Sequence, residues 1–332
     1  MSQTMNNTTL IVDASHLIYR NLSTTGKDLY TKSNLPVKGV YGVLSSINKI
    51  LEERPNINRI YMAFDGFSKY RNDLYPEYKA NREHNPEDKR YQEYIKPDDH
   101  GWSRKDTIKW TVNKLKEISP KFCMHVVYNE DAEGDDMGYQ LAKQLYDQSD
   151  IVFMTDDKDW LQLINLFPEA TVYRAVAEEI ITAKNFEATQ NVPANWFIFQ
   201  KIMLGDKSDN ISSVIPGCGE KAIGLLVSEA IKNNINPESE TLWDELGMMV
   251  EHMELGRHKN LINIKNLENK LIYERNKKLI DFRMAQIPAI LNESLNEILS
   301  LDFDEAAGII RELEFKTLSK VIAPGSPWYR LK

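Results

Sequence analysis

Short apolar runs that stop at an acidic residue recur along this chain. Leu10-Ile11-Val12 ends at Asp13, and Arg59-Ile60-Tyr61-Met62-Ala63-Phe64 ends at Asp65. Phe122 to Tyr128 leads into Glu133, Asp135 and Asp136, and Asp150 to Met154 leads into Asp157 and Asp159. Each run has the length and composition of a buried strand, and Thr171 to Val176 reads as one more. Between the first two, Val40, Val43, Leu44, Ile47, Ile50 and Leu51 recur at helical spacing. Strands alternating with helices predict an α/β fold, with a central mainly parallel sheet flanked by helices. In such a sheet ligands bind beyond the carboxyl ends of the strands, so acids from distant segments are expected to meet in one pocket.

The periodicity fails between Phe67 and Lys105, where charge and aromatics interleave; an insertion of this length inside a domain is functional or disordered. After Val192, which precedes Pro193, the strand signal ends and helical spacing takes over. The expected organisation is an α/β catalytic domain over 1–192, with an arch at about 67–105, and a helical domain over 193–332.

Composition excludes several classes. The 332 residues are 42% hydrophobic and 27% charged, and no apolar run reaches the roughly 18 residues of a membrane span. The N-terminus lacks the pattern of a signal peptide, so a cytoplasmic location is expected, the host cytoplasm for a phage-encoded chain. Cys123 and Cys218 are the two cysteines and have no metal-ligand spacing, which removes zinc and disulfide readings. The net charge of −8 looks wrong for a nucleic-acid partner, but two divalent ions at the acids would bring it to −4.

One aspartate at a strand end is most often a cap or turn residue, and Asp135 or Asp136 in a first helical turn has that ordinary explanation. Five such clusters do not, the fifth being Asp206 and Asp209 in Gly205-Asp206-Lys207-Ser208-Asp209-Asn210, three apart and so on one face if helical. Two carboxylates about 4 Å apart repel by roughly 4 kcal/mol at an effective dielectric near 20, so a shared pocket gathers protons or cations. Hard oxygen ligands select Mg²⁺ or Mn²⁺.

The order of these motifs resembles the 5′-to-3′ exonuclease and flap endonuclease family, most of all the compact bacteriophage 5′ nucleases, phage ribonuclease H included. The likeness rests on Asp13, Phe64-Asp65-Gly66, Tyr75-Pro76-Glu77-Tyr78-Lys79-Ala80-Asn81-Arg82, Glu133-x-Asp-Asp, Asp157-Lys158-Asp159 followed by Gln162-Leu163, and Gly205 to Asn210. It covers Leu10 to Leu226. Gly134, Asp156 and Ser212-Ser213 depart from the family pattern, and Asp156 is expected to add negative charge beside the pocket.

The resemblance implies a PIN-like nuclease that hydrolyses phosphodiesters with two Mg²⁺ ions, Mn²⁺ substituting, and removes RNA primers and 5′ flaps during replication. Asp13, Asp65, Glu133, Asp135 and Asp136 would form one metal site, with Asp157, Asp159, Asp206 and Asp209 forming or completing the second. Lys79 and Arg82 would bring positive charge to the phosphate, Tyr78 would stack a displaced base, and Arg71 would contact DNA. Gly217-Cys218-Gly219 with Lys221 matches the family's helix-three-turn-helix, an element spanning about 200–230 that would bind duplex backbone with K⁺.

A 5′ flap, fork or RNA-DNA 5′ end is the expected partner, bound by a monomer. The Pro327-Trp328-Tyr329-Arg330 tail is a candidate contact for a single-stranded-DNA-binding protein or sliding clamp. The alternatives are an inactive DNA-structure-binding relative, and a metal-dependent ribonuclease or phosphatase of related fold. Nine retained acids oppose the first; the Tyr75 to Arg82 motif and the Gly217 hairpin oppose the second.

Overall fold

Strand β1 (Thr8–Asp13) is buried at all six positions, as the unbroken apolar run requires. The computed structural model, which describes residues 7–82, 89–286, 299–320, 323 and 325–331, places it inside a six-stranded sheet. The other strands are β2 (Ile57–Phe64), β3 (Met124–Tyr128), β4 (Asp150–Met154), β5 (Thr171–Arg174) and β6 (Glu179–Ile181). Their order is β3-β2-β1-β4-β5-β6, parallel except for β6, an antiparallel edge strand that the apolar pattern did not announce.

Alternate residues of β1 enter different cores, as the two-residue strand period demands. Leu10 and Val12 pack with α1 (Ala14–Ser23), α2 (Lys38–Glu53) and α5 (Arg104–Ile118). Ile11, with Tyr61, Ala63 and Phe153, faces α6 (Gly134–Leu145) and α7 (Gln162–Leu166). This second core continues without a break into α8 (Phe186–Gln190), α9 (Ala194–Leu204), α10 (Glu220–Lys232), α11 (Leu242–Glu251) and α12 (Leu267–Ile280).

The expected boundary near Val192 is therefore not a boundary of the core, since Val192 is itself buried within it. The chain from 193 onward packs into both cores. The helix α13 (Phe303–Glu312) and the turn Pro327–Arg330 return to the first core through Ala306, Ile310, Leu313 and Trp328. The Trp328 indole, 1% exposed, donates to Asn48 Oδ1 at 3.1 Å, and Arg330 donates to the carbonyl of Leu51 at 2.7 Å. The tail is tied down at Trp328, while Tyr329 beside it is 60% exposed. Helical spacing reports an apolar face without saying which core receives it.

In the expected arch the structure places α3 (Lys69–Leu74), a 3₁₀ turn at Ala80–Arg82 and α4 (Lys89–Ile95), while 83–88 lie outside the described residues. No described helix is long and apolar enough to cross a membrane.

Candidate metal centre and nucleic-acid interface

Asp13 closes β1 and caps α1, so its carboxylate is held from two sides. Oδ1 accepts from the His16 amide at 3.0 Å and Oδ2 from the Thr155 hydroxyl at 2.8 Å. Asp157 follows the neighbouring β4, and its Oδ1 accepts from the Asp159 amide at 2.9 Å. Asp65 follows β2; its Oδ1 accepts from the Gly134 amide at 2.7 Å, and a Cβ on Gly134 would lie 2.8 Å from that oxygen. The glycine that departs from the family pattern therefore lets Asp65 seat directly on the start of α6.

These strand ends surround a cavity of about 280 Å³ lined by Asp13, Asp65, Glu133, Asp135, Asp157, Asp159, Asp206 and Asp209. Asp206 and Asp209 reach it from a turn closed by reciprocal backbone bonds between Asp206 and Ile211, not from a helix face. Burial pushes the Asp13 and Asp135 carboxyls well above the ordinary range, with Asp65 adding to the first and Asp136 to the second. Burial also raises Asp65, Asp157 and Asp209. Burial would raise Glu133 too, but Lys79 and Arg71 outweigh it and hold that carboxyl low.

Such a set is short of positive charge and rich in hard oxygen donors, which fits divalent cations. Ligand atoms of Asp13, His16 and Asp157 lie within 4.8 Å of one another, as do those of Glu133, Asp135 and Asp136. Asp13 falls with Asp157 because β1 and β4 are adjacent parallel strands.

Three expected residues stand apart. Asp136 does not line the cavity; Arg71 Nη1 and Nη2 donate to its two oxygens at 2.5 and 2.8 Å, and Nη1 lies 3.2 Å from Glu133. Arg71 is thus not exposed to DNA: it is 2% exposed and also donates to the Leu279 carbonyl at 2.8 Å and to Ser68 Oγ at 3.2 Å. Tyr78 does not offer a stacking face either. Its ring is buried and its hydroxyl lies 2.9 Å from Glu133 Oε2 and 3.1 Å from Asp209 Oδ2.

Lys79 and Arg82 do reach the cavity. The Lys79 ammonium pairs with Glu133 and lies 3.8 Å from Asp209, while Arg82 Nη2 donates to Asp209 at 2.5 Å. Lys79 has φ of +56°, a left-handed conformation that its amide supports by donating to the Asp209 carbonyl at 2.9 Å. Asn81 and Asn210 complete this seam, donating to the carbonyls of Lys207 and Glu77.

Sequence reasoning missed four residues. His16 and Tyr19, three and six positions after Asp13, line the cavity, and Tyr19 is 47% exposed; helical spacing from Asp13 was the available signal. Lys201 on α9 pairs with Asp159 and lies 3.8 Å from Asp206, a tertiary contact with no local signature. Arg20 lies 3.5 Å from Asp156, whose other oxygen accepts from the Val176 amide, so Asp156 does not add free charge to the pocket.

Beside the carboxylates a groove of about 950 Å³ is lined by Lys158, Lys201, Lys207, Gly217, Gly219 and Lys221, among others. Gly217 has φ of +80°, and Gly219 precedes the first turn of α10, leaving the backbone exposed there. The groove thus gathers basic side chains and accessible amides on segments next to those that carry Asp157, Asp159, Asp206 and Asp209.

Residues 8–191 match the family described as 5′-3′ exonuclease, N-terminal resolvase-like domain. The chain belongs to this family. Over 94% of its length this 5′-3′ exonuclease family member is 27% identical to DNA polymerase I of Caldicellulosiruptor bescii, of which it spans 36%. It is 25% identical to the 5′-3′ exonuclease of Buchnera aphidicola subsp. Acyrthosiphon pisum, over 86% of this chain and 88% of that one. Its fold is similar to that of the T5 D15 protein co-crystallised with metal ions, with a TM-score of 0.58 at 17% identity over 95% of this chain and 98% of that one.

Proposed function

We propose that this family member is a Mg²⁺-dependent structure-selective nuclease that hydrolyses phosphodiesters at 5′ flaps, forks and RNA-DNA 5′ ends. One observation carries the reading: eight carboxylates from five segments line one cavity, with Lys79 and Arg82 at it and a basic groove beside it. Asp13, Asp65, Glu133, Asp135, Asp157, Asp159, Asp206 and Asp209 would hold the ions, with His16 beside Asp13 and Asp157. Two bound ions would supply a water of lowered pKa and a counter-charge for the leaving oxygen.

The chain's own residues supply the rest. Lys79 is free to turn from Glu133 to a phosphate once that carboxylate engages a cation, bringing positive charge where negative charge develops. Tyr19, exposed at the cavity, offers a displaced base the stacking face that Tyr78 lacks. Gly217, Gly219 and Lys221 would meet duplex backbone through amides at a helix start, which favour an anion without reading sequence. A cavity of about 280 Å³ admits a phosphodiester but no duplex, so selectivity lies in how the groove delivers the strand.

Incubation with a labelled 5′-flap duplex, with Mg²⁺ or with chelator, tests this. Metal-dependent cleavage is expected. Binding without cleavage would make the chain an inactive relative, and indifference to the duplex would point to a ribonuclease or phosphatase of smaller substrates.

A further inference from the structure

Residues 276–282, at the end of α12 and just past it, bond to two segments that carry cavity acids and to Arg71, which holds a third. The helix end should leave several carbonyls without partners. Here they are used. The Leu279 carbonyl accepts from Arg71 Nε at 2.8 Å, and Arg71 in turn holds Asp136 and Glu133. The Ile280 carbonyl accepts from Gln162 Nε2 at 3.1 Å, and the Phe282 amide donates to Gln162 Oε1 at 3.1 Å. That same Gln162 Nε2 lies 3.1 Å from the Asp159 carbonyl.

The third link is Asn276, which is fully buried. Its Nδ2 donates to the carbonyls of Ile202 at 3.1 Å and Ser212 at 2.8 Å, stapling the two ends of the loop that carries Asp206 and Asp209. Arg275 Nη2 adds a bond of 2.9 Å to each of the Ser212 hydroxyl and Asn276 Oδ1. None of Gln162, Asn276 or Leu279 lines the cavity.

We propose that this segment is a brace that sets the spacing of the carboxylates, so that divalent-ion affinity depends on Gln162 and Asn276 as positioning residues. The proposal rests on the metal reading of the cavity. Carboxylates repelling one another without a cation would spread if their segments were free to move. The brace ties the Asp159 segment, the Asp206–Asp209 loop and the Arg71–Asp136 pair to one short stretch of backbone, so the repulsion is held as pre-organisation for a cation.

Calorimetric Mn²⁺ titration tests it with Gln162→Met and Asn276→Leu, which keep approximate shape and add no charge. Asn269→Leu is the control: Asn269 is buried on the same helix, and its amide donates to the Asn263 carbonyl at 2.8 Å, away from the cavity. The expected result is a loss of Mn²⁺ affinity of about tenfold in the first two, as for other outer-shell partners, and none in the control at a comparable fall in Tm. Saturating Mn²⁺ should restore flap cleavage to both. Should Asn276→Leu not fold, Gln162→Met alone decides. Wild-type affinity in folded Gln162→Met and Asn276→Leu overturns the brace; a wild-type protein that binds no Mn²⁺ overturns the metal reading instead.

Discussion

Arg71 and Asp136 form a bidentate pair of 2.5 and 2.8 Å in which neither side chain is more than 2% exposed. Asp136 belongs to the Glu133-x-Asp-Asp motif and Arg71 was expected at DNA, yet they serve each other. A planar guanidinium matched to a carboxylate is the geometry that makes burial of two charges tolerable.

Removing one partner should therefore be severe. Arg71→Ala is expected to cost about 3–5 kcal/mol by urea denaturation, because Asp136 is left buried and uncompensated. The double variant Arg71→Met with Asp136→Leu should recover most of that loss. A small loss in the single variant would contradict a structural role.

Burial, helped by Asp65, raises the Asp13 carboxyl well above its ordinary value of 3.8. Without metal, the folded state then binds this proton more tightly than the unfolded state. The contribution is full below 3.8 and lost as pH rises through the raised value. In chelator, Asp13→Asn should thus melt above wild type by a margin that opens with rising pH, as followed by calorimetry. A margin that closes as pH rises would reverse the assigned sign.

Lys79→Ala should lower flap-cleavage turnover by roughly 10²-fold, as loss of one charge aimed at the transition state does, with little change in substrate affinity. Equal losses in turnover and affinity would make Lys79 a binding residue only.

Tyr19→Ala should weaken binding of a single-stranded 5′ arm by about 1–3 kcal/mol in fluorescence anisotropy, with Tyr19→Phe near wild type. Tyr78→Phe keeps the buried ring but removes the hydroxyl beside Glu133 and Asp209, so its effect should appear in metal affinity. Strand binding lost in folded Tyr78→Ala but kept in Tyr19→Ala would make Tyr78 the stacking face instead.

What the sequence made legible were features written locally. β1 is an apolar run stopped by Asp13, and α2 shows its apolar face at helical spacing, so both elements and the pocket at the strand ends followed. Tyr78 was read as a stacking face because its neighbours are charged; its burial depends on Glu133 and Asp209, far away in the chain. The same holds for Asp136, whose two oxygens accept from Arg71, and for Trp328, which finds Asn48 across most of the chain's length. Asp206 and Asp209 both line the cavity, carried there by a turn closed by Ile211 rather than by a helix face.

Titration with Mn²⁺, followed by the electron paramagnetic resonance signal of the free ion, probes the carboxylate cavity most directly. Wild-type protein is predicted to remove about two ions per chain from solution, the number a paired-metal hydrolase requires, and the double variant Asp13→Asn with Asp157→Asn to remove fewer. Wild-type protein that leaves all Mn²⁺ free, or a double variant that binds as many ions as wild type, would contradict the account.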